Sequence, residues 1–549
     1  MTMSKRSKTE IITPPATPEI LTRLTTWFDH PSARWGGPLV AALLALLISG
    51  STFDAKLSIS GDNTEFVTLA RSLANGEGLT YTNLPEPRTA TKYPLGFPLL
   101  LAPLAAMFDG WAGPGTGTPD WVAMKWLVVL SFAAGMAVFY LLARQVAGGL
   151  GGVAATALAI TNPLTVDYSH QVMSEVPFLA PSLLALWCLQ RGIEREGWRH
   201  NRWLWAGIAA AIVAYYIRSV GIVLIGTPIA LLLLRRDWQR AGFVGGISFA
   251  AMLPWALRNS AAGGSSVYLK QLLQVNPYFP DEGLLDFGGL WERVAGHIHF
   301  YLAQGLTGTL WPSFEPTDSA LTPGSVVMLA LLAGFVWHSV QQRRHQLLLI
   351  YMGFFLGTVV LWPWPGDRFI LPLVPVLLLS GVTAIGEGVL WLRSKGAGPT
   401  AFVLAAVLLG MALVGNVRGG LSRRLDRSTS LVQLAAASRA DYRPEWRNYM
   451  EAGLWLRANA PEEAIVTCRK AFWMHVVSGR RTIVYAFKEP EAVVAGFDAH
   501  GVDYAIVEQL GYSHTGRFLV PALQSAAERF PILWHRPDPD TYVVGVNPP

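Results

Sequence analysis

Long apolar runs, separated by short basic or longer mixed segments, set the pattern of the chain. They lie near residues 37–54, 121–143, 149–168, 175–191, 203–218, 219–234, 241–257, 323–340, 346–362, 369–392 and 399–417. Each approaches the roughly 20 mostly apolar residues that a helix needs to cross a hydrocarbon core, so the pattern predicts about 11 transmembrane helices. The fifth and sixth are short and are divided only by Arg218, which leaves their boundary free to shift. The connections support the same count. With the basic N-terminus inside, the inside loops are those at Arg144, Arg191, Arg235, Gln341 and Arg393, and all are basic, as cytoplasmic loops should be. An odd number of spans then places the C-terminus outside, together with two long outer loops, 55–120 and 258–322.

From about Arg418 the pattern changes to evenly spread charge and short alternating runs. "AIVTCR", "RTIVYAF", "DYAIVEQ" and "TYVVGV" read as strands, with "EWRNYMEAGLWLRANA", "EPEAVVAGFDAHG" and "RFLVPALQSAAERF" as helices between them. The expected organisation is a cytoplasmic tail (1–36), a transmembrane domain (37–417) and a small extracytoplasmic α/β domain (418–549). The last has no Gly-rich phosphate loop and no His or Cys cluster, so an accessory role is expected, in handling an acceptor or covering a site. The tail carries Lys5, Arg6, Lys8, Arg23 and Arg34 and no small-residue cleavage pattern, which predicts a retained signal anchor.

Composition agrees. With 52% hydrophobic residues, 15% charged residues and a mean hydropathy of +0.34, the chain is too apolar for an ordinary soluble protein. Its 43 Lys and Arg exceed its 37 Asp and Glu, but the basic residues cluster between apolar runs, where they orient a membrane protein; nucleic acid is excluded as a partner. Cys188 and Cys468 are too few and too far apart for a disulfide framework or a thiolate metal site.

Candidate chemistry gathers at the predicted outer ends of the spans. "SISGDNTEF" follows the first apolar run, and its Asp62 begins a predicted short amphipathic surface helix, 62–74. Asp62 and Glu65 fit a capping box; equally, Asp62 could serve as a general base toward a hydroxyl. In "PRTATKYPLGFPLLL", Lys92 and Tyr93 suit an interfacial anchor, while Lys92, with Arg88, could instead hold a phosphate. Glu175 in "SEVP" stands at a helix start that Ser174 could cap. Arg218 and Arg368 interrupt apolar sequence, and Asp367 offers Arg368 an ion pair. His170 near Glu175 makes only two candidates for a metal, too few for a site.

The ordered set "SGDNTEFVTLARSLANGEGLTY", "KYPLGFPLLLAP", "MSEVPFLAPSLLAL", "RSVGIVLIGTPIALLLLRR" and "DRFILPLVPVLLLSG" resembles the GT-C glycosyltransferases. Within them it is similar to the branch of the protein O-mannosyltransferases and the lipid A aminoarabinose transferase, a bacterial glycosyltransferase 39-like family. The resemblance covers most of 37–417. It implies Asp62 as catalytic base, Glu175 as a second acidic residue that orients the acceptor or supports Asp62, and Lys92 as the basic residue at the donor phosphate. Two departures stand out. Tyr93-Pro94 replaces a Pro-Pro pair, and Glu65 stands where the aminoarabinose transferases have an Arg, which argues against that specific activity and leaves Glu65 mainly as the partner in a helix cap.

The expectation is a mainly α, polytopic GT-C protein of a bacterial inner membrane. It would move a monosaccharide from a polyprenyl-phosphate-linked donor to a hydroxyl of a glycan, lipid or protein acceptor by inverting displacement, among membrane lipids, with no cofactor and no metal. Arg88, Arg218 and Arg368 would join Lys92 at the phosphate, with Tyr93 and His170 as further pocket candidates. The alternatives are a lipid-linked oligosaccharide ligase or polymerase and, with less support, a secondary transporter; a transporter usually has paired repeats and midplane polar groups, whereas here the polar groups gather at the outer side.

Overall fold

The computed structural model describes residues 30–59, 62–108, 119–195, 198–263, 267–311, 322–425 and 442–548. In chain order the helices are α1 (Pro31–Ser51), α2 (Asn63–Ala74), α3 (Gly96–Met107), α4 (Asp120–Thr161), α5 (Pro163–Tyr168), α6 (Glu175–Gly192), α7 (Arg202–Ile217), α8 (Ile222–Leu234) and α9 (Trp238–Ala261). There follow α10 (Val267–Leu273), α11 (Phe287–Phe300), α12 (Leu306–Leu310), α13 (Pro323–Gln341), α14 (Gln346–Leu361), α15 (Asp367–Ile370), α16 (Val374–Ser394) and α17 (Gly398–Leu425). Each predicted apolar segment is helical. Five helical runs, Asp120–Thr161, Trp238–Ala261, Pro323–Gln341, Asp367–Ser394 and Gly398–Gly420, are long and apolar enough to cross a membrane by length and composition; others, such as α7 and α14, are apolar but shorter.

Local chemistry sets the breaks. Gly148, at φ 74°, divides α4 at the boundary between the second and third predicted segments, in a conformation that suits glycine. The third segment stops at Thr161, earlier than expected, because the Asn162 side chain accepts from the N–H groups of Leu164 and Thr165 and starts α5 with Pro163 in its first turn. Arg218 is extended (φ −150°, ψ 128°) and separates α7 from α8, where the sequence predicted an interruption. At the two limits of the predicted transmembrane domain the bounds move: α1 starts at Pro31, and α17 runs on to Leu425. Most of the predicted tail lies outside the described residues.

The segment after α1 is folded tightly. α2 is no half-exposed surface helix, as its spacing suggested; nine of its residues are buried. It packs against α3 and against the C-terminal unit. Arg71 donates from Nε and Nη2 to the two carboxylate oxygens of the fully buried Asp120 (2.7 and 2.9 Å), fixing α2 to the start of α4. A short ribbon follows, β1 (Thr80–Tyr81) antiparallel to β2 (Arg88–Thr89).

The C-terminal unit contains α18 (Pro444–Asn459), β3 (Ile465–Thr467), α19 (Ala471–Ser478), β4 (Arg481–Ile483), α20 (Pro490–His500), β5 (Tyr504–Val507), α21 (Val520–Ser525), β6 (Ile532–Arg536) and β7 (Thr541–Gly545). Its sheet order is β4-β3-β5-β7-β6, parallel from β4 to β5 and antiparallel beyond. The four predicted strands are present. β6, which the sequence reading missed, is an edge strand with mostly exposed residues, so it lacks a buried face to imprint an alternation. This unit clasps the segment after α1: the Thr482 N–H donates to the Asn83 carbonyl (2.5 Å), Asn83 Nδ2 to the Thr482 carbonyl (3.2 Å), and the Leu57 N–H to the Tyr442 hydroxyl (2.8 Å).

One close approach joins the beginning of α3 to the end of α7. A Cβ on Gly96 would lie 2.6 Å from the Tyr216 carbonyl oxygen, a backbone atom that cannot swing away. Gly96→Val is therefore expected to destabilise the protein by about 1–3 kcal/mol through overpacking. Gly242, with nothing within 4 Å of its would-be Cβ, is the control: Gly242→Ala in the interior of α9 is expected to be neutral or stabilising by about 0.5–1 kcal/mol. Thermal unfolding of the detergent-purified variants checks both, and a Gly96→Val protein that melts with the wild type would contradict the packing.

Candidate active site

A cavity of about 1740 Å³ opens between the ends of the helices and the C-terminal unit. Its wall includes Asp62, Lys92, Tyr93, Arg218, Tyr268 and Arg368, and, from the C-terminal unit, residues 469–473. Residues more than 300 positions apart thus share one chamber.

Asp62 immediately precedes α2. Its carbonyl accepts the Phe66 N–H (3.1 Å), but its side chain makes no capping hydrogen bond. The carboxylate instead faces Lys92 Nζ at 3.7 Å and Arg368 Nη1 at 3.6 Å. Burial opposes ionisation here, yet Lys92 and Arg368 outweigh it and hold the carboxyl below its usual 3.8.

Glu65 requires a correction. It is not the partner in a capping box; it is buried, and its carboxylate accepts from Lys92 Nζ (2.9 Å), the Tyr81 hydroxyl (2.7 Å) and the Tyr93 hydroxyl (3.2 Å). The physical reason is the burial of α2: a carboxylate without water must find donors, and the segment 81–93 supplies three. Lys92 is held in turn. Burial works against its charge, but Glu65 and Asp62 overcome this and raise its pKa above the usual 10.5. Its ammonium also lies 4.4 Å from the centre of the Tyr93 ring.

The two arginines are fixed by the elements that bear them. Arg218, in the break between α7 and α8, contacts Glu175 Oε1 at 3.0 Å and donates to the Ser174 hydroxyl (2.9 Å). Glu175 itself, almost fully buried, is not on the cavity wall and reaches the chamber through Arg218. Ser174 does not cap α6 with its side chain. Arg368, in the single turn α15, stacks on the Phe369 ring at 4.7 Å and meets Asp62, where the sequence had offered Asp367 as its partner.

Two candidates stand apart. Arg88 is exposed on β2, one strand of a two-stranded ribbon, and is not on the wall. His170 is buried with its ring 6.1 Å from that of Phe53, and it too is off the wall. Among the described residues, no group of three His, Cys, Asp or Glu side chains has metal-binding geometry. Other contributors were not foreseen. Tyr268 of α10 lines the cavity, its phenol pushed up to about 12 by burial. Arg258, at the end of α9, donates to the carbonyls of Ala90 (2.5 Å) and Leu79 (3.1 Å) and so steadies the segment bearing Lys92. Its only sequence signal was a basic residue at the end of an apolar run.

A family model described as dolichyl-phosphate-mannose-protein mannosyltransferase matches residues 116–256. No curated protein matches the sequence. Among solved structures, ArnT from Cupriavidus metallidurans bound to undecaprenyl phosphate superposes with a TM-score of 0.55 at 14% identity, over 93% of this chain and 98% of that one. The Archaeoglobus fulgidus oligosaccharyltransferase tethered with an acceptor peptide gives 0.57 at 14% identity, over 95% and 75%. The arabinofuranosyltransferase AftD from Mycobacteria gives 0.50 at 13%, over 95% of this chain and 40% of that one. At such identities the likeness is one of fold, and it bears out the resemblance read from the motifs: the chain has the architecture of the GT-C glycosyltransferases.

Proposed function

We propose that this protein is a membrane glycosyltransferase that moves one monosaccharide from a polyprenyl-phosphate donor to an acceptor hydroxyl on the extracytoplasmic side. The observation that carries the reading is Asp62: a carboxylate on the wall of a large cavity, free of any capping role and set between Lys92 and Arg368. The undecaprenyl phosphate bound to the similar ArnT structure supports a lipid phosphate as the donor's carrier.

In the reaction we infer, the acceptor oxygen attacks the anomeric carbon while Asp62 takes its proton. The bond from that carbon to the phosphate oxygen breaks, and its electron pair stays on the departing polyprenyl phosphate. Lys92, Arg368 and Arg218 meet the growing negative charge, and a single displacement inverts the anomeric configuration. Glu65 and Glu175 act as positioning residues, the first holding Lys92 and the second Arg218. Glu65 therefore has a use in place of the Arg of the aminoarabinose transferases: it fixes the lysine rather than contacting phosphate itself. Because its pKa is depressed, Asp62 is a weak base, so proton transfer runs late, when the hydroxyl has already become acidic.

Asp62→Asn keeps size and hydrogen bonding but removes the base. It is expected to lower kcat about 10²–10⁴-fold while leaving undecaprenyl phosphate binding within a few-fold of wild type; an assay with a polyprenyl-phosphate sugar checks this, and an unchanged rate would remove Asp62 from its role. The acid limb of kcat/KM supplies a second check. Asp62 works deprotonated, and its pKa lies below 3.8, so wild-type activity should persist down to pH values at which an ordinary carboxylate base would already be protonated. Lys92→Gln removes a cation that favours the carboxylate, so the folded-state pKa rises and the acid limb should move to higher pH, whatever the variant's residual rate. A limb that stayed in place would contradict the coupling.

A further inference from the structure

The cations beside Asp62 all have carboxylate partners: Lys92 has Asp62 and Glu65, Arg218 has Glu175, and Arg368 has Asp62. On the same cavity wall the C-terminal unit presents Arg469 and Lys470, and among the described residues neither forms an ion pair. Both lie over the Tyr512 ring (4.9 and 4.6 Å), and Arg469 Nε is buried without a hydrogen-bond partner. A buried carboxylate in their vicinity, Glu508, accepts from the Leu510 N–H and the Thr515 hydroxyl and acts on both cations through space, without an ion-pair contact to either.

The chain then turns directly into α19. Lys470 is the residue before its first turn and gives no side-chain cap, so the N–H groups that open the helix have no side-chain acceptor there. Ala471, Phe472 and Trp473, the first three residues of that helix, line the cavity. Trp473 is 3% exposed, and its indole N–H has no acceptor. Two cations with no ion-pair contact and an uncapped helix start sit on one stretch of wall, and both are chemically suited to an anion.

We propose that Arg469, Lys470 and the start of α19 form a second anion site, which takes a phosphate or carboxylate group carried by the acceptor. The inference rests on the proposed transferase reading, since that defines an acceptor side of the cavity. It assigns the acceptor to the acidic class: a phosphorylated or uronic acid-bearing glycan or glycolipid, whose reacting hydroxyl would face Asp62 while its acidic group rests on the C-terminal unit. A second phosphate on the donor lipid is the other source of such an anion. The acceptor is favoured because the donor-side cations come from the helical part around Asp62, whereas this pair comes from the non-membrane part of the wall.

The test uses the full-length protein in detergent and inorganic phosphate as probe, followed by phosphorus NMR line broadening, with excess undecaprenyl phosphate present to occupy the donor-side cations. The wild type should bind phosphate under these conditions. Arg469→Gln combined with Lys470→Gln should weaken that binding at least about tenfold, as loss of charge-assisted hydrogen bonds implies. Binding of undecaprenyl phosphate by the double variant should stay at the wild-type level, which also shows that it is folded. Phosphate binding that is absent in the wild type, or unchanged in the double variant, overturns the inference. A parallel loss of undecaprenyl phosphate binding by a folded double variant also overturns it, because the pair then serves the donor. If the wild type fails to bind undecaprenyl phosphate at all, the transferase reading itself fails, a result distinct from the others.

Discussion

Cations half-buried at the edge of an apolar helix bundle need partners to hold them, and the acids that hold Lys92, Arg218 and Arg368 organise the chamber. A buried charge is costly alone and tolerable when paired and hydrogen-bonded. Glu65 answers Lys92, Glu175 answers Arg218, and Asp62 lies between Lys92 and Arg368 at the longer distances of 3.7 and 3.6 Å. The short contacts belong to the carboxylates read here as positioning groups. The loose ones belong to Asp62, the group that would have to exchange a proton and admit substrates. On the proposed reading, the arrangement of the pairs and the division of labour are one feature.

The backbone serves that arrangement. Arg71 and Asp120 fix α2 to the bundle, Gly96 lets α3 touch the end of α7, and Arg258 braces the segment that carries Lys92. The C-terminal unit then closes on the same segment through Asn83, Leu57 and their partners. Its apolar core runs on from the bundle's through α18 and α19, so the wall it supplies is packed against the site rather than suspended above it. This gives the unit a more specific place than the accessory one its composition suggested.

Different parts of this were legible in the sequence for different reasons. The apolar helices could be read because a 20-residue hydrophobic run is a local property, and the break at Arg218 because a charge within such a run has few places to go. "DNTE" was ambiguous because its two readings share the same local pattern. What separates them is the position of Tyr81, Tyr93 and Lys92, up to 28 residues away from Glu65, and no capping rule contains that. Arg88 and His170 were drawn in by nearness along the chain, which a ribbon and a buried ring pair undo. Arg469 and Lys470 went unnoticed because a basic dipeptide between a strand and a helix looks like any solvated turn.

The account's central claim concerns the donor, a single sugar on a polyprenyl monophosphate. Mass spectrometry of the lipids that accumulate when the gene is deleted from its host addresses it most directly. The claim predicts a build-up of polyprenyl monophosphate bearing one monosaccharide, reversed by the wild-type gene and not by Asp62→Asn. Accumulation of a polyprenyl diphosphate carrying an oligosaccharide would contradict it and point to a ligase or polymerase instead.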